Sequence, residues 1–269
     1  MTTFPRTMPE DLDGPLRGVR NAVAIASAKG GVGKSTVASN LALASQQLGA
    51  RVGLMDGDIY GPSLPLLMGV REQPEITPED RLIPIDAHGL SVMSMGFIAD
   101  ENTPVVWRGP LLAQAVQQFL HQVEWGELDI LYLDLPPGTG DIPLTISQAI
   151  ALSGAVIVTT PQDVALEDVE RGIAMFDKVD IEVLGLVENM SYYLCPHCSQ
   201  RHPMFGEGGG RGLAQKLDVE FLGEVPLDPM IRAAGDEGKP LLLHSADAPH
   251  NQTFSDIAER VANALTSLA

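Results

Sequence analysis

Short apolar runs alternate along the chain with segments whose apolar positions recur at helical spacing. Residues 22–27, 52–55, 130–133, 155–159, 183–187 and 221–225 are apolar or β-branched runs that predict strands, those at 22–27 and 130–133 buried. Residues 90–95 alternate with small polar side chains and predict one more. Helices are expected over 37–48, 145–152, 164–179 and 254–268, and over 111–123, where Leu112, Val116, Phe119 and Val123 share a face. Residues 58–84 are rich in Pro and Gly and predict an irregular excursion. Residues 1–20 carry three prolines and several charges and read as a flexible N-terminal arm. The remainder, 21–269, reads as a single domain. Strands alternating with helices imply an α/β fold: a mainly parallel central sheet with helices on both faces. Ligands of such sheets bind beyond the carboxyl ends of the strands.

The richest local signal joins the first strand to the first helix: Lys29, Gly30, Gly31, Val32, Gly33, Lys34, Ser35 and Thr36. A Gly-rich turn between strand and helix, ending in Lys-Ser, lets backbone N–H groups converge on phosphate oxygens without Cβ obstruction. Lys34 supplies a point charge for the β/γ-phosphates, and the Ser35 hydroxyl is a Mg²⁺ ligand. Gly is expected five places before the last Gly of such a loop, and this chain has Ala28 there. Two further acidic loops follow strands. In Asp56-Gly57-Asp58, one carboxylate is expected to position attacking water and the other to order the loop or the metal shell. In Asp134-Leu135-Pro136-Pro137-Gly138-Thr139-Gly140-Asp141, Asp134 has the place of a magnesium-holding acid at a strand end; the competing reading is an ordinary strand-to-helix loop with Asp141 as a helix cap.

Composition narrows the partners. Seventeen basic against thirty-five acidic residues give a net charge of −18, which disfavours nucleic acid and anionic membrane but not ATP, held by local dipoles and lysines. No transmembrane stretch or secretory leader is evident, so a cytoplasmic location is expected. The 269 residues suffice for a large core without disulfides. The two cysteines sit together in Cys195-Pro196-His197-Cys198. Four readings compete: a dithiol redox centre, a zinc site with His202 or with a second chain, an unligated pair, and an iron–sulfur cluster. The residues after Cys198 are poor helix material, which weighs against redox. An all-cysteine cluster takes four thiolates, and a symmetric dimer would bring two pairs face to face.

In this order, Lys29–Thr36, Asp56-Gly-Asp58, Asp134-Leu-Pro-Pro-Gly, Glu188-Asn189-Met190 and Cys195-x-x-Cys198 resemble the Mrp/ApbC family of ATP-binding iron–sulfur cluster carriers, from about Arg20 to the C-terminus. The family is related to MinD, ParA and the nitrogenase iron protein, and the loop is similar to their deviant P-loop (SIMIBI/MinD-like P-loop NTPases). The resemblance implies a homodimer that hydrolyses ATP at two sites and holds a labile [4Fe–4S] cluster between subunits. The cluster is received from an assembly scaffold and passed to apo-proteins. It further implies that Lys29 crosses to the other subunit's phosphates, that Asp58 positions water and Asp134 serves magnesium. Asn189 falls at the adenine-recognising position, with Pro226 in a segment packing near the base. Cys195 and Cys198 match the cluster ligands, whereas no role transfers to His197 or His202, for which surface or packing roles are expected. Many bacterial relatives carry a further N-terminal domain, which the short arm here would leave absent or supplied by another protein. The alternative output is that of a MinD/ParA-type positioning ATPase with zinc at the Cys pair. An electron donor like the nitrogenase iron protein takes its cluster ligands from separated cysteines, and a small-molecule kinase has no use for the pair.

Overall fold

The computed structural model describes residues 2–7, 16–58, 61–98, 119–139, 144, 150–243 and 249–269. Its elements run β1 (Ala22–Ala26), α1 (Lys34–Gln47), β2 (Val52–Asp56), the one-turn α2 (Leu64–Leu67), β3 (Ile85–Ala87), β4 (Leu90–Ser94), β5 (Ile130–Asp134), β6 (Gly154–Thr159), α3 (Asp163–Asp177), β7 (Val183–Glu188), β8 (Tyr193–Leu194), β9 (Arg201–His202), α4 (Gly209–Lys216), β10 (Phe221–Glu224), α5 (Pro229–Asp236) and α6 (Pro249–Leu268). Eight of the described strands form one sheet in the order β10-β7-β6-β1-β5-β2-β4-β3. Neighbours are parallel except the antiparallel β3–β4 pair at one edge.

The strands are apolar because both faces are covered. Every residue of β1, β2, β5, β6 and β7 is buried. A buried Leu, Ile or Val contributes about 1.5–3 kcal/mol relative to exposure, so these central strands carry much of the fold. Helix α1 is buried on nearly all sides, and α6 packs on it through Phe254, Ile257, Ala258, Val261, Ala262 and Leu265, one stripe at helical spacing. Tyr132 is fully buried on β5, and its hydroxyl lies 2.9 Å from Ser45 Oγ of α1.

The structure departs from the expected elements in several places. α1 starts at Lys34 rather than at residue 37, because Gly33 caps it in a left-handed conformation and the loop turns directly into helix. The excursion after β2 contains α2, whose Ser63 and Leu64 N–H groups are held by Asp56. Helices α4 and α5, like α2, lie outside the expected elements. α4 grows out of the glycine run that had read as poor helix material, with Gly208 left-handed at its cap. α5 begins at Pro229 with Asp228 accepting from Met230 N–H at 2.6 Å, an Asp-Pro cap signal that the sequence carries.

Part of the expected flexible arm is docked. Phe4 is buried, and the Asn21 side chain accepts from the Thr7 amide and hydroxyl at 3.2 and 2.7 Å. Asn21 also donates to the Pro5 and Asp129 carbonyls, so every polar atom of its buried amide is used. Residues 145–149 of the expected helix at 145–152, most of the expected helix at 111–123, and the loop residues Gly140 and Asp141 lie outside the described residues, while 150–152 are described and not helical. No helix among the described residues is long and apolar enough to cross a membrane.

Candidate functional site

The carboxyl ends of β1, β5, β2 and β7 bring the expected residues to one edge of the sheet. Asp56 pairs in register with Asp134, and Asp134 with Ile25 of β1. The loops that leave these strands are tied together by backbone bonds: Gly57 N–H to the Asp134 carbonyl at 2.9 Å, Leu135 N–H to Ile25 at 3.0 Å and Gly138 N–H to Ser27 at 2.8 Å.

Between β1 and α1 the loop forms an anion cradle. Gly31 and Gly33 have φ of 82° and 80°, a left-handed conformation that side chains resist. A Cβ at Gly31 would meet nothing within 4 Å, so this part of the loop lies open. The first-turn N–H groups of α1 have no intrahelical partner and, with the helix dipole, favour a phosphate. Ser27 Oγ donates to the Lys29 carbonyl at 3.0 Å and shapes the loop entry. Lys29 is half exposed and makes no ion pair among the described residues.

Lys34 is not extended toward the cradle. It is buried and ion-paired with Asp134 Oδ1, and the Ser35 side chain lies close enough to Asp134 to favour its charged form. The second carboxylate oxygen, Asp134 Oδ2, is buried with no protein partner. An orphaned acidic oxygen beside a serine hydroxyl at a phosphate cradle is a donor set suited to Mg²⁺, which takes one or two protein oxygens and completes its shell with phosphate and water. Burial raises the Asp134 pKa, and Lys34 opposes the shift. Asp56, also buried, is pushed up to about 7 by burial first and by Asp134 second. Its oxygens accept from Asp58 N–H at 3.0 Å, Ser63 N–H at 2.9 Å, Leu64 N–H at 3.1 Å and Ser94 Oγ at 3.3 Å. Asp56 is therefore the carboxylate that orders the loop. Asp58 is half exposed, accepts from Gly61 N–H at 3.2 Å, and lies close enough for its charge to act on Asp134.

On the other side of the loop, Asn189 follows β7. Its amide donates to the Val32 carbonyl at 2.7 Å, and a Cβ at Gly33 would come within 2.2 Å of its nitrogen. Pro226 is buried in the segment alongside, bracketed by Ser191 N–H to the Val225 carbonyl at 3.0 Å and Leu227 N–H to Tyr192 at 2.8 Å. Glu188, the last residue of β7, accepts from Gly210 N–H and Ser191 Oγ, both at 2.5 Å. Its carboxylate thus holds the N-terminus of α4, which explains why a glycine run becomes helix there.

Cys195 and Cys198 lie apart from this cradle, on the turn of the β8–β9 hairpin. Both are free thiols, Cys195 half exposed and Cys198 exposed. Backbone N–H groups of His197 and Cys198 lower the Cys195 pKa, favouring the thiolate that binds metal. His202 is exposed on β9, as a surface role would have it; β-pairing also brings it back beside the turn, and one ligand atom from each of Cys195, Cys198 and His202 lies within 4.8 Å of the others. His197 is exposed and outside that group. Near the hairpin, Leu194, Met204, Phe205 and Met230 are exposed apolar side chains.

Comparison with known proteins agrees with this geometry. Residues 18–262 match the family model described as ParA: NUBPL iron-transfer P-loop NTPase. An iron–sulfur cluster carrier protein of Pseudomonas fragi is 50% identical over 245 residues, 90% of this chain and 85% of that one. The iron–sulfur cluster transfer protein NUBPL of Dictyostelium discoideum is 47% identical over 248 residues, 91% of this chain and 77% of that one. Among solved structures, a nucleotide-binding protein of Archaeoglobus fulgidus in complex with ADP superposes with a TM-score of 0.76 at 39% identity, covering 87% of this chain and 91% of that one. The cell division ATPase MinD of Pyrococcus furiosus gives 0.66 at 22% identity, over 90% and 98% of the two chains, a likeness of fold.

Proposed function

The chain belongs to the NUBPL iron-transfer P-loop NTPase family, and from that premise we propose that it is an ATP-hydrolysing carrier that holds a labile [4Fe–4S] cluster between two copies and passes it to apo-proteins. The observation that carries this reading is the pair of free, accessible thiols on a hairpin of the same domain that bears the phosphate cradle. A cluster held wholly by cysteine takes four thiolates, and two per chain supply that number only when two copies meet. The cluster is cargo, taken from a scaffold and given to acceptors. A reducing cytoplasm suits thiolates that must stay free for iron.

At the cradle, Gly30 to Thr36 receive the phosphates on backbone N–H groups. Lys34 exchanges Asp134 for the β/γ-phosphates, a charge-for-charge substitution that keeps the buried lysine paired. Ser35 and Asp134 would hold Mg²⁺, which when bound would neutralise charge developing on the phosphate oxygens. Asp58 orients the attacking water, and Lys29 of each copy reaches the phosphates of the other. Asn189 leaves Val32 for the base, with Pro226 packing beside it. The ties from Gly57 to Asp134 and from Gly138 to Ser27 give a route by which the state of the phosphates alters the loops after β2 and β5. Hydrolysis then loosens the contact between copies and exposes the cluster. The fold likeness to MinD carries no positioning role by itself.

Anaerobic reconstitution of the full chain with iron and sulfide tests the reading. Four irons per two chains, a sulfide-to-iron absorption band and a dimer mass are expected. A cluster-loaded species that stays monomeric would overturn it.

A further inference from the structure

We propose that each copy of the chain, without a second one, binds a single thiophilic divalent cation such as Zn²⁺ or Fe²⁺ through Cys195 Sγ, Cys198 Sγ and an imidazole nitrogen of His202, leaving one coordination position open. This deepens the carrier reading and rests on it only in taking the two thiols as metal ligands.

The three donors are already gathered within 4.8 Å of one another. In a tetrahedral site with bonds of about 2.3 Å to sulfur and about 2.0 Å to nitrogen, donor atoms lie roughly 3.5–3.8 Å apart. Rotation of exposed side chains covers that difference without moving the backbone. The backbone is closed beforehand: Cys195 N–H donates to the Gln200 carbonyl at 3.0 Å and Ser199 N–H to the Cys195 carbonyl at 2.8 Å. Pairing of Tyr193 with His202 and of Leu194 with Arg201 fixes the distance at which the imidazole returns to the thiols. β9 is anchored in turn, with Arg201 stacked 4.0 Å over Tyr192 and 3.6 Å from Glu224 on β10. A site whose backbone is ordered before the ion arrives loses less affinity to entropy.

The donor chemistry selects the class of ion. Two thiolates and an imidazole balance a divalent charge and favour Zn²⁺, Fe²⁺ or Co²⁺ over Mg²⁺ or Ca²⁺, which prefer oxygen. Three protein ligands with a free fourth position differ from a closed structural site, and the free position admits water or an incoming ligand. When two copies share a cluster, four thiolates complete the iron shell and His202 is released. The single-copy cation form and the two-copy cluster form are therefore alternative occupants of one hairpin.

Co²⁺ alone is the probe, titrated anaerobically into the reduced full chain in the absence of sulfide. One Co²⁺ per chain is expected, with sulfur-to-cobalt charge-transfer bands, intense tetrahedral d–d bands and an unchanged monomer mass by sedimentation. Loss of an outer-shell partner of a metal ligand costs about 10–100-fold in affinity, so His202→Ala should weaken Co²⁺ by at least about tenfold and alter the d–d bands, while His197→Ala changes neither. ADP binding checks that each variant is folded. Half a Co²⁺ per chain with dimerisation, or a His202→Ala spectrum and affinity like the parent's, would overturn the proposal. Reconstitution of His202→Ala with iron and sulfide separates the two readings: four irons per two chains there uphold the carrier whatever cobalt does.

Discussion

Lys34 shows how much one side chain can carry. It is a buried cation whose partner in this structure is Asp134, so its removal has two separable effects. Lys34→Ala is expected to weaken ATP binding by at least about 100-fold, because the phosphate charge loses its nearest cation. It also leaves a buried carboxylate unpaired, which costs about 3–5 kcal/mol of stability. Adding Asp134→Asn should restore much of the stability and none of the ATP binding; calorimetric titration and urea unfolding of the two variants read these separately. Iron loading on Cys195 and Cys198 should survive in both. Gly33 makes a second case. Its φ of 80° resists any Cβ, and that Cβ would strike Asn189. Gly33→Ala should lower stability by roughly 1–2 kcal/mol from the left-handed backbone alone and by more from the clash. Pairing it with Asn189→Ala removes only the second part, and equal unfolding midpoints for the single and double variants would refute the clash.

At the scale of elements, the end of β2 is joined to the start of α2 by one carboxylate. Asp56 is held near pH 7 by burial and by Asp134, well above an unfolded aspartate at about 3.9. The folded chain therefore holds that proton across a range where the unfolded chain has lost it. The contribution of Asp56 to stability is greatest at the acid end, falls as pH rises from about 4 to 7, and is flat above that. Three units correspond to about 4 kcal/mol. Urea unfolding of the nucleotide-free chain between pH 4.5 and 8 should show this slope, and Asp56→Asn should flatten it. Parallel curves for the two proteins would rule out Asp56 as its source. The strands were legible from apolar runs because a parallel sheet covered on both faces leaves no polar position to interrupt them. α4 was not legible. Its glycines are poor helix formers, and the carboxylate that holds its first turn, Glu188, is 21 residues before Gly209 in the chain.

For the whole molecule the question is what a second copy adds. Lys29 is half exposed and free of ion pairs among the described residues, unlike Lys34 five residues on. Lys29→Ala should leave ATP affinity at low protein concentration within a few-fold of the parent. It should lower ATPase activity and ATP-dependent dimerisation by at least about tenfold, the equivalent of 1.4 kcal/mol. Equal losses in monomer affinity and in dimerisation would return Lys29 to its own cradle. The acidic balance of the chain acts at this scale too: two copies with a formal net charge of −18 each repel, so association should strengthen with salt up to physiological strength.

From the chain of residues alone, the alternation of apolar runs with helical spacing determined a parallel α/β sheet, because both signals depend on neighbours a few positions apart. The Gly-Lys-Ser loop and the Cys pair were readable for the same reason, each being a local arrangement. Tertiary structure decided which groups meet across long separations. It put Lys34 on Asp134, a hundred residues away, and Asn189 on Val32, 157 residues away. It divided the labour between Asp56 and Asp58, since burial, not residue type, made one a loop tie and left the other near solvent. It docked Phe4, and strand pairing, rather than spacing alone, set His202 beside the two thiols.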